Sequence, residues 1–71
     1  MARQILQSGA MGEEVERLQA DLNRLGYSLN VDGTFNEATE TVIMQFQKDR
    51  NLTVDGVVGP ETGKALGMAL A

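Results

Sequence analysis

Two aspartates, Asp32 and Asp55, stand in copies of one frame: "VDGTFNEAT" begins at Val31 and "VDGVVGPET" at Val54, 23 positions later. An acidic residue beside glycine in a polar loop is a feature of calcium sites. In "SLNVDGTFNEAT", Asn30, Asp32 and Gly33 fall like the third, fifth and sixth positions of an EF-hand. The charge count then fails. Ser28 takes the first position and Thr39 the twelfth, where carboxylates are needed, and Asn51, Thr53 and Thr62 fail likewise in the second copy. What remains is a tight turn, in which Gly33 and Gly56 permit positive φ and Asp32 and Asp55 accept from N–H groups ahead. No metal and no cofactor are expected.

Other chemistry is excluded by residue type. The chain has no histidine and no cysteine, so neither a histidine-activated nucleophile nor a thiolate can be assembled. Glu13 with Glu14, and Glu37 with Glu40, fall in helix first turns, where the helix dipole explains them. A glycosidase dyad would also need a cleft that 71 residues seldom form. The chain reads as non-catalytic.

Ten acidic against six basic residues give a net charge of -4 with no basic run, which argues against nucleic acid as a partner. The opening "MARQILQSGAMG" is too short in apolar residues for a signal peptide, and no segment approaches a membrane span. Export would come from a longer exported parent, or by a route that needs no signal.

The elements that must position these residues are helices. Val15, Leu18, Leu22 and Leu25 fall at spacings of three, four and three, marking one buried face over Glu13 to Leu25, with Glu13 and Arg17 as an i,i+4 pair outside. Gly26 is the left-handed residue that ends this helix, and Tyr27 can fold back onto Leu22. Asn36 caps a second helix, running to about Arg50, whose inward stripe is Val42, Ile43 and Phe46. Asn51 ends it as Gly26 ends the first, and Leu52 closes over it. Met44, just off the stripe, fills a gap in the core or marks contact with an attached domain, the first being favoured. Gly59 as cap and Pro60 at the first helical position start a third helix, buried through Ala65, Leu66 and Met68 or Leu70, with fraying expected at its end.

The hydrophobic pairs flanking the turns, Val31 with Phe35 and Val54 with Val58, are expected to face the core. Thr39 and Thr62, each three residues past a cap, should serve a nearby backbone group with their hydroxyls. Gln19 and Gln47, each one step past a buried residue, are expected to bond the loop backbone near the Asp-Gly turns. The fold class is all-α, a small three-helix bundle with two Asp-Gly turn loops before helices two and three, in a single domain over residues 1–71.

The series Gly9, Gly12, Val15, Leu18-Gln19, Leu22, Leu25-Gly26-Tyr27, Asp32-Gly33, Phe35, Thr39, Phe46-Gln47, Leu52, Asp55-Gly56 and "GPET" from Gly59 to Thr62 resembles the peptidoglycan-binding domain of bacterial cell-wall hydrolases. The resemblance runs from Leu6 to about Leu70. No single piece is specific, and the order and spacing of the whole series carry the match. Asn36-Glu37 stands where the family usually has Gly-Pro, and Asn51 where it has glycine; each can do the same backbone work.

The resemblance implies a non-catalytic module that binds peptidoglycan or muropeptide and holds a covalently attached hydrolase at the wall, in the periplasm or outside the cell, as found in amidases and phage endolysins. A protein-interaction module that kept the fold without wall binding is the alternative. Candidate ligand contacts are the polar or aromatic residues that periodicity leaves exposed near the loops: Tyr27, Ser28, Asn30, Thr34, Gln45, Asp49 and Arg50. A tyrosine face, amides and an arginine would complement sugar hydroxyls, amides and carboxylates. A monomer is expected.

Overall fold

The computed structural model describes residues 5–71, so the first four residues of the expected domain lie outside the described ones. Three helices form: α1, Glu13–Arg24; α2, Glu37–Asp49; and α3, Pro60–Leu70. Their ends follow local chemistry. Asn36 caps α2 by accepting from the Thr39 N–H, and Gly59 with Pro60 opens α3 without a side-chain cap.

α1 and α2 end in the same closure. The N–H groups of Gly26 and Tyr27 donate to the Asn23 and Leu22 carbonyls, and those of Asn51 and Leu52 donate to Lys48 and Gln47. Asn51 takes φ of 60° there, the left-handed geometry that glycine supplies at position 26.

The core joins Val15, Leu18 and Leu22 of α1, Ile43 and Phe46 of α2, and Leu66 of α3 to Phe35 and Val58 from the loops. Burying each large side chain stabilises the fold by about 1.5–3 kcal/mol. Because two core residues come from connections, the loops are part of the packed body. Val42 and Leu70 are half-buried, and Met68 is exposed.

Three expectations need correction. Val31 and Val54 do not face the core; they remain 49% and 50% exposed. The next two N–H groups of each turn point inward to a glutamine, which leaves the preceding valine at the rim. Glu13 and Arg17 form no ion pair. Among the described residues the only one within 4 Å is Arg24 with Asp21, at 3.8 Å. On an exposed face, the entropy of two long side chains is enough to keep such a pair apart. The threonine hydroxyls serve glutamine side chains rather than backbone, as described below.

Sequence periodicity gave no sign of what the chain before α1 does. Leu6 pairs antiparallel with Val58 through two backbone bonds of 3.1 and 2.8 Å, and Met11 pairs with Thr34. This short segment therefore fastens both loops to the body.

Candidate functional site

Two glutamines organise the loops. Gln19 of α1 and Gln47 of α2 are both fully buried. The Gln19 Oε1 accepts from the Asp32 and Gly33 N–H groups, both at 3.0 Å. Its Nε2 donates to Asp32 Oδ1 at 3.1 Å, the Thr34 carbonyl at 3.0 Å and Thr39 Oγ1 at 3.0 Å. Gln47 repeats the pattern with the Asp55 and Gly56 N–H groups, Asp55 Oδ1, the Val57 carbonyl and Thr62 Oγ1. A carboxamide suits this work because it offers donors and an acceptor without charge, so it can be buried with every polar atom satisfied. Among the described residues no buried side-chain nitrogen or oxygen lacks a partner.

The Asp-Gly turns thus use their carboxylates internally. Asp32 Oδ1 also accepts from the Thr34 N–H, as Asp55 Oδ1 does from Val57, both at 3.0 Å. These backbone bonds, followed by the glutamine amides, hold both carboxyls below the usual aspartate pKa. Gly33 and Gly56 adopt φ of 76° and 73°. A Cβ at either would lie 3.1 Å from the Cγ of Glu16 or Glu40. Met44 lies over the second turn, its Cγ 3.5 Å from that point, and is half-buried.

Of the seven expected contact residues, four meet at one end of α1 and α2. The Tyr27 hydroxyl donates to Asp49 Oδ2 at 2.5 Å, and Gln45 Nε2 donates to Asp49 Oδ1 at 2.9 Å. Those two donors lower the Asp49 carboxyl's pKa, while burial first and the Asp49 bond second raise that of the Tyr27 phenol. The Tyr27 ring meets Phe46 edge-on, 6.2 Å between centroids at 78°, and the Arg50 guanidinium lies 5.6 Å from the centre of the same ring.

Ser28 and Asn30 are exposed on the strip that leaves this cluster. Thr34 belongs elsewhere: its N–H and carbonyl are engaged in the first turn, beside Met11. One residue that positions the strip was missed from sequence. Asn23 donates to the Leu29 carbonyl at 2.9 Å and accepts its N–H at 2.7 Å. Its only signal was an amide in the last turn of a helix, which reads equally as a solvated side chain.

An open depression lined by Glu13, Glu16, Arg17, Ala20 and Val31 contains none of the seven residues. It encloses too little to act as a cleft. No three acidic side chains among the described residues come close enough to hold a metal ion, and no described helix is long and apolar enough to cross a membrane.

Comparison with known proteins places this arrangement. The family described as "Putative peptidoglycan binding domain" matches residues 11–66. A spore cortex-lytic enzyme of Halalkalibacterium halodurans is 41% identical over 59 residues, 82% of this chain and 18% of that protein. The chain spans about a fifth of the length of the curated relatives it matches. Among solved structures, the SleB N-terminal domain superposes with a TM-score of 0.93 at 38% identity, covering 100% of this chain and 99% of that one. A Burkholderia AP3 phage endolysin superposes at 0.89 with 34% identity, over 92% of this chain and 25% of the endolysin. With its helices, its turns and more than half its length matched, the chain belongs to the peptidoglycan-binding domain family, whose members occur as parts of cell-wall hydrolases.

Proposed function

We propose that this chain is a single non-catalytic domain that binds peptidoglycan and holds an attached hydrolase against the wall. The observation carrying this reading is a contrast of lengths: the chain matches a relative's isolated N-terminal domain end to end, yet only a small share of the hydrolases related to it. Binding and bond cleavage then belong to different parts of the parent, and the module acts as a monomer where an exported parent carries it, at the wall, in the periplasm or outside the cell.

The contact surface is the Tyr27, Gln45, Asp49 and Arg50 cluster, continued by Ser28 and Asn30. Thr34 would contribute only at the far rim. An aromatic edge, a carboxamide, a carboxylate and a guanidinium side by side supply the mixed donors and acceptors that an amide- and hydroxyl-rich polymer needs. Co-sedimentation with purified insoluble peptidoglycan tests the proposal. The chain should be depleted from solution in a saturable way without releasing soluble fragments. Retention in the supernatant at high protein load would refute wall binding, and released fragments would refute the non-catalytic role.

A further inference from the structure

Arg50 is set apart from the other candidate contacts by what its neighbours do. The adjacent carboxylate, Asp49, has one oxygen occupied by the Tyr27 hydroxyl and the other by the Gln45 amide. That neighbouring acid is thus bonded to neutral donors, and Arg50 belongs to no ion pair within 4 Å among the described residues. Its guanidinium rests beside the fully buried Phe46 ring, which Tyr27 supports from its edge. A planar cation held over an aromatic ring loses less freedom on binding than a loose side chain, and its N–H edges stay available for a second planar group.

We propose that Arg50 is the receptor for a carboxylate on the wall's stem peptide, so the module reads the peptide's carboxyl end rather than the glycan. This rests on the wall-binding reading above and narrows it. The partner that fits must carry a carboxylate with an N–H donor beside it. The guanidinium fork takes the carboxylate, and Asp49, which keeps lone pairs beyond its two internal bonds, accepts the N–H. A peptide C-terminus has both groups in that order; a glycan whose lactyl group is amide-linked to the stem has hydroxyls and acetamido N–H groups but no carboxylate. Asp49 also sets a filter, because an anion lacking the adjacent donor would face an uncompensated negative charge.

The test uses NMR titration with three probes: a muropeptide with free stem carboxyl groups, the same compound with them amidated, and the stem-free disaccharide with its lactyl carboxyl amidated, which should bind no better than the amidated muropeptide. The free acid should shift the Arg50 side-chain N–H and the Tyr27 ring, and amidation should weaken binding by about threefold to tenfold, as expected for a charge-assisted pair at an exposed site. Arg50→Gln should reduce the acid to the level of the amide, with Arg50→Lys in between, since lysine keeps the charge and loses the fork. Equal affinity for acid and amide, or full binding by Arg50→Gln, overturns the peptide-carboxylate assignment while sedimentation with insoluble wall still upholds the wall reading. Should only insoluble wall bind, the assignment stands if Arg50→Gln stays in the supernatant and falls if it sediments like the wild type. If neither muropeptide nor insoluble wall binds, both readings fall.

Discussion

Gln19 and Gln47 make matching sets of five hydrogen bonds on loops that are built differently. The sequence separation from glutamine to aspartate is 13 in the first and 8 in the second, and from glutamine to threonine 20 and 15. The eight residues from aspartate to threonine, Asp32 to Thr39 and Asp55 to Thr62, are therefore a fixed unit, whereas the chain before them varies in length without disturbing it. Support around the two units also differs. Phe35, Gly33, Ala10, Gly9 and Gly12 share three backbone bonds that hold the first loop; Asn23 clasps its strip, and Asn36 caps the helix that follows. The second loop has the Leu6 and Val58 pair and no side-chain cap. Equal clamps thus sit on unequal foundations, and the second should depend more on its glutamine.

The largest effect should come from removing the clamps. Each change to leucine strands several buried donors and acceptors at once. Gln47→Leu is expected to destabilise by about 3–4 kcal/mol and Gln19→Leu by about 2–3 kcal/mol, within the range for a broken buried network. Urea unfolding gives the order directly, and a larger loss for Gln19→Leu would mean that the extra fastenings of the first loop contribute nothing.

Next come the turn glycines. Gly33→Ala and Gly56→Ala should each cost about 1–2 kcal/mol because alanine is strained at those positive φ values. Adding Glu16→Ala or Glu40→Ala tests whether the backbone or the close glutamate is responsible. Little recovery is expected, since the glutamate Cγ and carboxylate, 3.1–3.2 Å from the added carbon, need to give by only a few tenths of an ångström.

A smaller change would make the second copy resemble the first. Gly59 has φ of -98° and ψ of -165°, nearly those of Asn36, and open space where a Cβ would go. Gly59→Asn should give the Thr62 N–H an acceptor and stabilise by a few tenths to about 1 kcal/mol. An unchanged or lowered melting temperature would show that the cap at Asn36 does not transfer.

The two loops should respond to acid alike. Folding lowers the pKa of Asp32 and Asp55, so their contribution is complete above the unfolded aspartate value, about 3.9, and is lost as pH falls through the folded values. Asp32→Asn and Asp55→Asn keep an acceptor oxygen for the same donors. Each should flatten the acid limb of a stability profile while changing neutral stability little; an unaltered limb would assign the acid sensitivity to other carboxyls.

The parts legible in the sequence were those decided within a few residues. Asn36, Gly59-Pro60, Gly26 and Asn51 mark helix ends because caps and left-handed closures need particular residue types at fixed offsets. Gln19 and Gln47 could be assigned to the loop backbone because a buried amide must find partners. What depended on distances between elements was not legible. The Tyr27 bond to Asp49 spans 22 residues, and only the packed bundle brings the two together. The same is true of Val31 and Val54, whose hydrophobic character suggested burial until the turn N–H groups claimed the inward direction.

The bridge between Leu6 and Val58 bears on how fast the domain assembles. A bundle of three short helices would ordinarily be a rapid folder, because most of its contacts are local. Here one end of the sequence must find a residue near the other before the second loop is fastened, and that search resembles the closing of a sheet more than the docking of helices. The helical content therefore overstates the speed of folding: the rate should be set by the loops and by the segment that ties them down.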